Sequence, residues 1–66
     1  MIQEYAVARL KRDAPTIPLQ VGTKGAILIV HPCSPPAYEV EIVDDAGKPL
    51  GTYTVEEVYL EEVKHD

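Results

Sequence analysis

The sequence lacks tryptophan and phenylalanine, and its only aromatic residues are four tyrosines. It has one cysteine, so no disulfide can form within the chain. One cysteine and two histidines also make a zinc site of three or four ligands difficult to assemble. No run of 18 apolar residues occurs, and no apolar stretch precedes the first basic residues. We therefore expect neither a membrane-spanning helix nor a secretory signal, and we predict a cytoplasmic protein.

Basic residues are few as well, with six lysines and arginines against eleven acidic residues and a net charge of −5. This balance argues against indiscriminate binding to nucleic acid or anionic lipid. A chain of 66 residues with 45% hydrophobic content provides one small core. We expect a single domain over residues 1–66, with stability low enough that association with another chain would help it.

Proline and glycine divide the chain into short apolar segments that are typical of strands. The predicted strands cover residues 5–10, 26–30, 38–43, 50–55 and 59–63. A helix competes for the first segment, because alanine, arginine and leucine favour helices, but Asp13 and Pro15 end it early. The third segment alternates cleanly, with Glu39 and Glu41 on the face opposite its apolar residues.

The connections also carry local signals. Residues 13–22 contain two prolines and form a loop in this prediction. Residues 44–48 predict a turn, with Gly47 at a position of positive φ. Thr54 and Glu57 are spaced like a capping box, which predicts one helical turn before the last strand.

Five short strands in a chain of this length predict an all-β fold, a small five-stranded SH3-like barrel. Its antiparallel sheet would be strongly bent and partly open, with a single 3-10 turn before the last strand. The predicted core is Val7, Leu10, Leu19, Ile27, Ile29, Tyr38, Val40, Ile42, Tyr53, Val55, Val58 and Leu60. Leu28 and Val30 compete with Ile27 and Ile29, because this run is apolar on both faces. A strand of that kind suggests cover by a second copy or a partner.

Several motifs follow one another in a set order. They are Lys11-Arg12-Asp13 with Pro15, Gly22-Thr23-Lys24-Gly25 before the apolar run, His31-Pro32, Tyr38-Glu39-Val40-Glu41, and a turn with Asp44 and Gly47. Together they resemble a family of short, uncharacterised bacterial proteins, a domain of unknown function, over residues 5–63. Thr23 and the loop from Cys33 to Pro36 depart from the usual pattern.

The resemblance implies a small SH3-like barrel and no agreed catalytic residues. Some members resemble the small partner protein encoded beside a toxin, which implies an antitoxin or immunity role. We accordingly predict a protein-interaction module rather than an enzyme, with no cofactor and no metal. The partner would be a basic protein, in a homodimer or a hetero-complex.

Acidic residues form the predicted partner-binding surface, because they could attract a basic protein. They are Glu39, Glu41, Glu56, Glu57, Glu61 and Glu62. The alternative is that these glutamates bind no partner. They would then lie on solvated strand faces, where their charges also prevent a sheet edge from pairing with another chain.

The alternative function is nucleic-acid binding through a basic patch of Arg9, Lys11, Arg12 and Lys24. Such surfaces are usually broader and carry exposed aromatic residues, so we favour an internal charge balance with the acidic C-terminal strand. Cys33 and His31 are close enough in sequence to suggest thiolate chemistry. We expect instead a free thiol and a histidine that forms a hydrogen bond where its strand ends.

Overall fold

The computed structural model describes residues 2–64, which form one five-stranded antiparallel sheet. The strands are β1 (Val7–Leu10), β2 (Lys24–His31), β3 (Ala37–Val43), β4 (Pro49–Glu56) and β5 (Leu60–Glu62). A 3-10 turn over Glu57–Tyr59 lies between β4 and β5. The first strand starts two residues later than predicted, because Tyr5 has a φ of 66° and lies outside the sheet.

The strand order is β4-β3-β2-β1-β5, so the last strand returns to pair with the first. This order and the 3-10 turn confirm the all-β, SH3-like prediction. The sheet is not closed within the described residues, and β4 and β5 form its two edges.

A bulge at Leu28 interrupts β2. Ile27 lies opposite Val40, but Ile29 lies opposite Glu39, so one extra residue separates the two pairs. The bulge turns Ile29 away from the core, where its exposed fraction is 50%, and Val30 takes the inward position opposite Tyr38. The prediction that Ile29 belongs to the core is therefore wrong, because a strict alternation was assumed along β2.

The core lies on one side of the sheet. Its buried members are Ile2, Ala8, Leu10, Ala14, Ile27, Tyr38, Val40, Ile42, Val55 and Leu60. Leu19 and Tyr53 pack against it partly buried, as does Ala6. Val7 is only half-buried, because β1 turns Ala8 inward instead. Val58 is 47% exposed, so its predicted core position is also wrong; it lies in the 3-10 turn, and Leu60 just after the turn is the residue that is buried.

Two glycines have identifiable roles. Gly47 has a φ of 84° in the turn between β3 and β4, as predicted. Gly25 lies between β1 and β3, opposite Ala8 on one side and Ile42 on the other. A Cβ there would lie 2.6 Å from the carbonyl oxygen of Glu41 and 2.7 Å from Val40 Cγ1. No larger residue fits at Gly25 without moving backbone.

Candidate interaction surface

The register of β3 and β4 gathers three carboxylates on the outer side of the sheet, away from the core. Glu39 lies opposite Thr54, Glu41 opposite Thr52, and Ala37 opposite Glu56. Because alternate residues of a strand share one face, Glu39, Glu41 and Glu56 lie on the same side. We call Glu39, Glu41, Glu56, Thr52 and Thr54 the acidic face.

Glu39 is the anchored member of the acidic face. The Thr54 hydroxyl donates to Glu39 Oε2 over 2.7 Å, and His31 Nε2 lies 2.9 Å from the same oxygen. The hydrogen bond from Thr54 and, next, that from His31 lower the pKa of Glu39 below its ordinary value. Glu39 is therefore held ionised in one position, and the expected hydrogen-bonding role of His31 at its strand end is confirmed.

Glu41 and Glu56 are available to a partner. Glu41 is half-buried and Glu56 is exposed. Neither carboxylate forms a side-chain hydrogen bond or an ion pair with any residue in the range 2–64. A partner could therefore contact them without first breaking an internal bond.

Glu57 faces another way and has a structural contact. The buried Tyr38 hydroxyl donates a hydrogen bond to the Glu57 carboxylate and accepts one from the Ile2 amide over 2.9 Å. Burial, followed by the hydrogen bond to Glu57, raises the pKa of Tyr38. The capping box is not formed, because Thr54 bonds to Glu39 and the N-cap residue Glu56 makes no side-chain cap. No sequence pattern predicts these contacts of Tyr38, because Glu57 is 19 positions away in the sequence and Ile2 is 36 positions away.

Glu61 is paired with a basic residue. Arg9 Nε and Nη2 lie 2.8 and 2.7 Å from Glu61 Oε2, across the β1–β5 pair. This ion pair is the internal charge balance that the sequence favoured for Arg9. Lys11, Arg12 and Lys24 are exposed, as is Glu62 on β5. Of the predicted basic patch, Arg9 is therefore engaged in an intramolecular contact.

Cys33 and the possible metal ligands complete the candidate residues. Cys33 is an exposed free thiol, as predicted, with Sγ 3.2 Å from the Pro35 carbonyl oxygen. Among residues 2–64, no three His, Cys, Asp or Glu side chains lie together as a metal site. The same stretch has no helix long and apolar enough to cross a membrane.

Comparison with known proteins adds a family and no function. No curated protein and no solved structure matches the sequence. Residues 4–64 match the family described as a domain of unknown function (DUF4926). Since the match extends over nearly the whole sequence, this chain belongs to the DUF4926 family.

Proposed function

We propose that this protein is a non-enzymatic interaction module that binds a basic protein through its acidic face. The observation that carries the proposal is the β3–β4 register, which sets Glu39, Glu41 and Glu56 on one side of the sheet. Of the six glutamates that the sequence nominates, the structure engages Glu57 and Glu61 elsewhere. The proposed surface therefore contains fewer glutamates than the sequence predicted: Glu39, Glu41 and Glu56.

The chemistry of this face suits lysine and arginine side chains. Glu39 is kept ionised and oriented by Thr54 and His31, so its position is already organised before binding. Glu41 and Glu56 supply two more acceptors without internal partners among the described residues. Complementary charge would speed the encounter with a basic partner, and added salt would weaken it.

The concrete role that we propose is that of an antitoxin or immunity-like protein in the cytoplasm of a bacterium. It would neutralise its partner by covering a basic substrate-binding surface, such as that of a nuclease. The net charge of −5 and the resemblance of some family members to toxin partners support this role. The active species would be a homodimer or a hetero-complex.

Affinity purification from lysate of the native host tests the proposal. The bait would be wild type, the double variant Glu41→Lys with Glu56→Lys, and a matched control, Asp45→Lys with Glu62→Lys. Asp45 and Glu62 are exposed and lie outside the acidic face. Each double variant replaces two carboxylates by two lysines, so both change the net charge equally. We expect wild type and control to retain a basic protein after nuclease treatment, and the acidic-face variant to lose it.

Two results would contradict the proposal. Equal loss of the partner from both double variants would show that only net charge matters. Recovery of RNA or DNA, with loss on changing Lys11 and Arg12 to glutamate, would instead establish the nucleic-acid alternative.

A further inference from the structure

The two edges of the sheet differ in how they are protected. β5 has three residues, including Glu61 and Glu62, and Lys64 follows shortly after. β4 has eight residues and carries one charge, Glu56, at its end. Among the described strands, β4 pairs only with β3. Proteins normally guard such edges with charges, proline or bulges, because an open edge can pair with another strand.

The hydrogen-bond pattern shows which backbone groups β4 leaves open. The Glu57 amide donates to the Pro36 carbonyl over 2.9 Å, which fixes the direction of that residue toward β3. Backbone groups alternate in direction along an antiparallel strand. The N–H and C=O groups of Thr52, Thr54 and Glu56 therefore point away from β3, toward the open edge.

Apart from the charge of Glu56 at its end, the protection that β4 has lies at its start. Pro49 begins the strand, and a bulge at Leu50 separates the pair Val43–Pro49 from the pair Ile42–Gly51. From Gly51 to Glu56 the pairing with β3 is regular. Six residues of β4 therefore present a regular edge.

We infer that the β4 edge pairs in antiparallel fashion with β4 of a second copy of this chain. With Tyr53 on the twofold axis, Thr52 of each copy lies opposite Thr54 of the other, a pairing favoured between strands. Glu56 then lies opposite Leu50, which is 60% exposed, and two positions from Lys48. The two Glu56 side chains lie roughly 20 Å apart along the strands, at about 3.3 Å per residue. This register pairs threonine with threonine and keeps the two Glu56 carboxylates far apart.

This inference specifies the homodimer named in the proposed function, and its salt dependence is opposite to that of docking a basic partner. A twofold axis perpendicular to the sheet places both acidic faces on the same side of a continuous sheet. The two faces repel each other, so salt would tighten the dimer by screening that repulsion. Salt would weaken the docking of a basic partner on either face.

Sedimentation and amide hydrogen exchange of the purified chain test the inference. We expect a monomer–dimer equilibrium, with protection of the Thr52, Thr54 and Glu56 amides that increases with protein concentration and with salt. The amides of Tyr53 and Val55, which point toward β3, would be protected at every concentration. A chain that stays monomeric, or a dimer in which the three outward amides exchange as in the monomer, would overturn the inference.

A proline variant provides the matched comparison. Thr52→Pro removes one outward amide and no hydrogen bond within residues 2–64, whereas Thr52→Val keeps that amide. We expect the proline variant to be monomeric and the valine variant to dimerise as wild type does. Should the proline variant fail to fold, the exchange data on wild type still decide the question.

Discussion

The long strands β2, β3 and β4 and the short strands β1 and β5 are held by different interactions. The long strands contribute the large buried side chains Ile27, Tyr38 and Val55. The short strands, with four and three residues, bury mainly Ala8, Leu10 and Leu60 and add the half-buried Arg9–Glu61 pair. The long strands thus supply most of the apolar burial, and the short strands depend on being attached to them.

Two features make that attachment. Gly25 on β2 lets β1 and β3 approach on either side of it. Tyr38 on β3 bonds through its hydroxyl to Ile2, before β1, and to Glu57, before β5. In this small sheet, a few contacts made by the long strands therefore hold the short strands in place.

The largest expected effect is at Gly25. Gly25→Ala should lower the free energy of unfolding by about 3 kcal/mol, because the new Cβ meets a backbone carbonyl that cannot move aside. Urea unfolding followed by circular dichroism would measure this loss. The control is Gly47→Ala, where a Cβ has open space and only the positive φ costs about 1 kcal/mol. Equal losses at the two sites would contradict the close packing at Gly25.

A smaller effect should separate the two groups of strands. Tyr38→Phe removes the acceptor of the buried Ile2 amide and should cost about 2 kcal/mol. Amide exchange at Ile2 should speed up more than exchange within β3. Tyr53→Phe is the control, because that hydroxyl has no hydrogen bond within residues 2–64, and its cost should stay below about 0.5 kcal/mol. Unchanged Ile2 exchange in Tyr38→Phe would count against this attachment.

Within the long strands, Glu39 should make the free energy of unfolding depend on pH. Its pKa is lower in the folded chain than its ordinary value of 4.5, so its contribution is present above 4.5 and is lost as pH falls through the folded pKa. The free energy of unfolding of wild type should therefore decrease below pH 4.5, and that of Glu39→Gln should decrease less. Glu41→Gln, on the same face without those bonds, should behave like wild type. Parallel pH profiles for wild type and Glu39→Gln would refute the assignment.

The smallest effect is expected within the short strands. Side-chain exposure is 41% for Arg9 and 42% for Glu61, so solvent screens this ion pair. A double-mutant cycle with Arg9→Ala and Glu61→Ala should give a coupling of about 0.5 kcal/mol that declines with added salt. A coupling several times larger would mean that this pair, rather than Tyr38, attaches β5.

Local patterns along the chain predicted most of the fold. The alternation around Glu39 and Glu41 predicted the third strand and its two faces, and Gly47 marked its turn. These features depend on neighbours in sequence, so a short window contains the information. The acidic residues were nominated together for the same reason, since charge is visible in sequence.

Contacts between distant residues could not be predicted. The bond from Tyr38 to Glu57 separates that glutamate from the acidic face, and the Arg9–Glu61 pair removes another. The burial of Ile2 and Ala14 likewise depends on how the ends of the chain pack against the sheet. The spacing of Thr54 and Glu57 suggested a cap, but a closer acceptor on the neighbouring strand binds the Thr54 hydroxyl.

The bulge at Leu28 changes what an apolar run means. Residues 26–30 read as a strand buried on both faces, yet they are two half-buried segments joined out of phase by one inserted residue. Such a segment needs no second layer of protein to cover it.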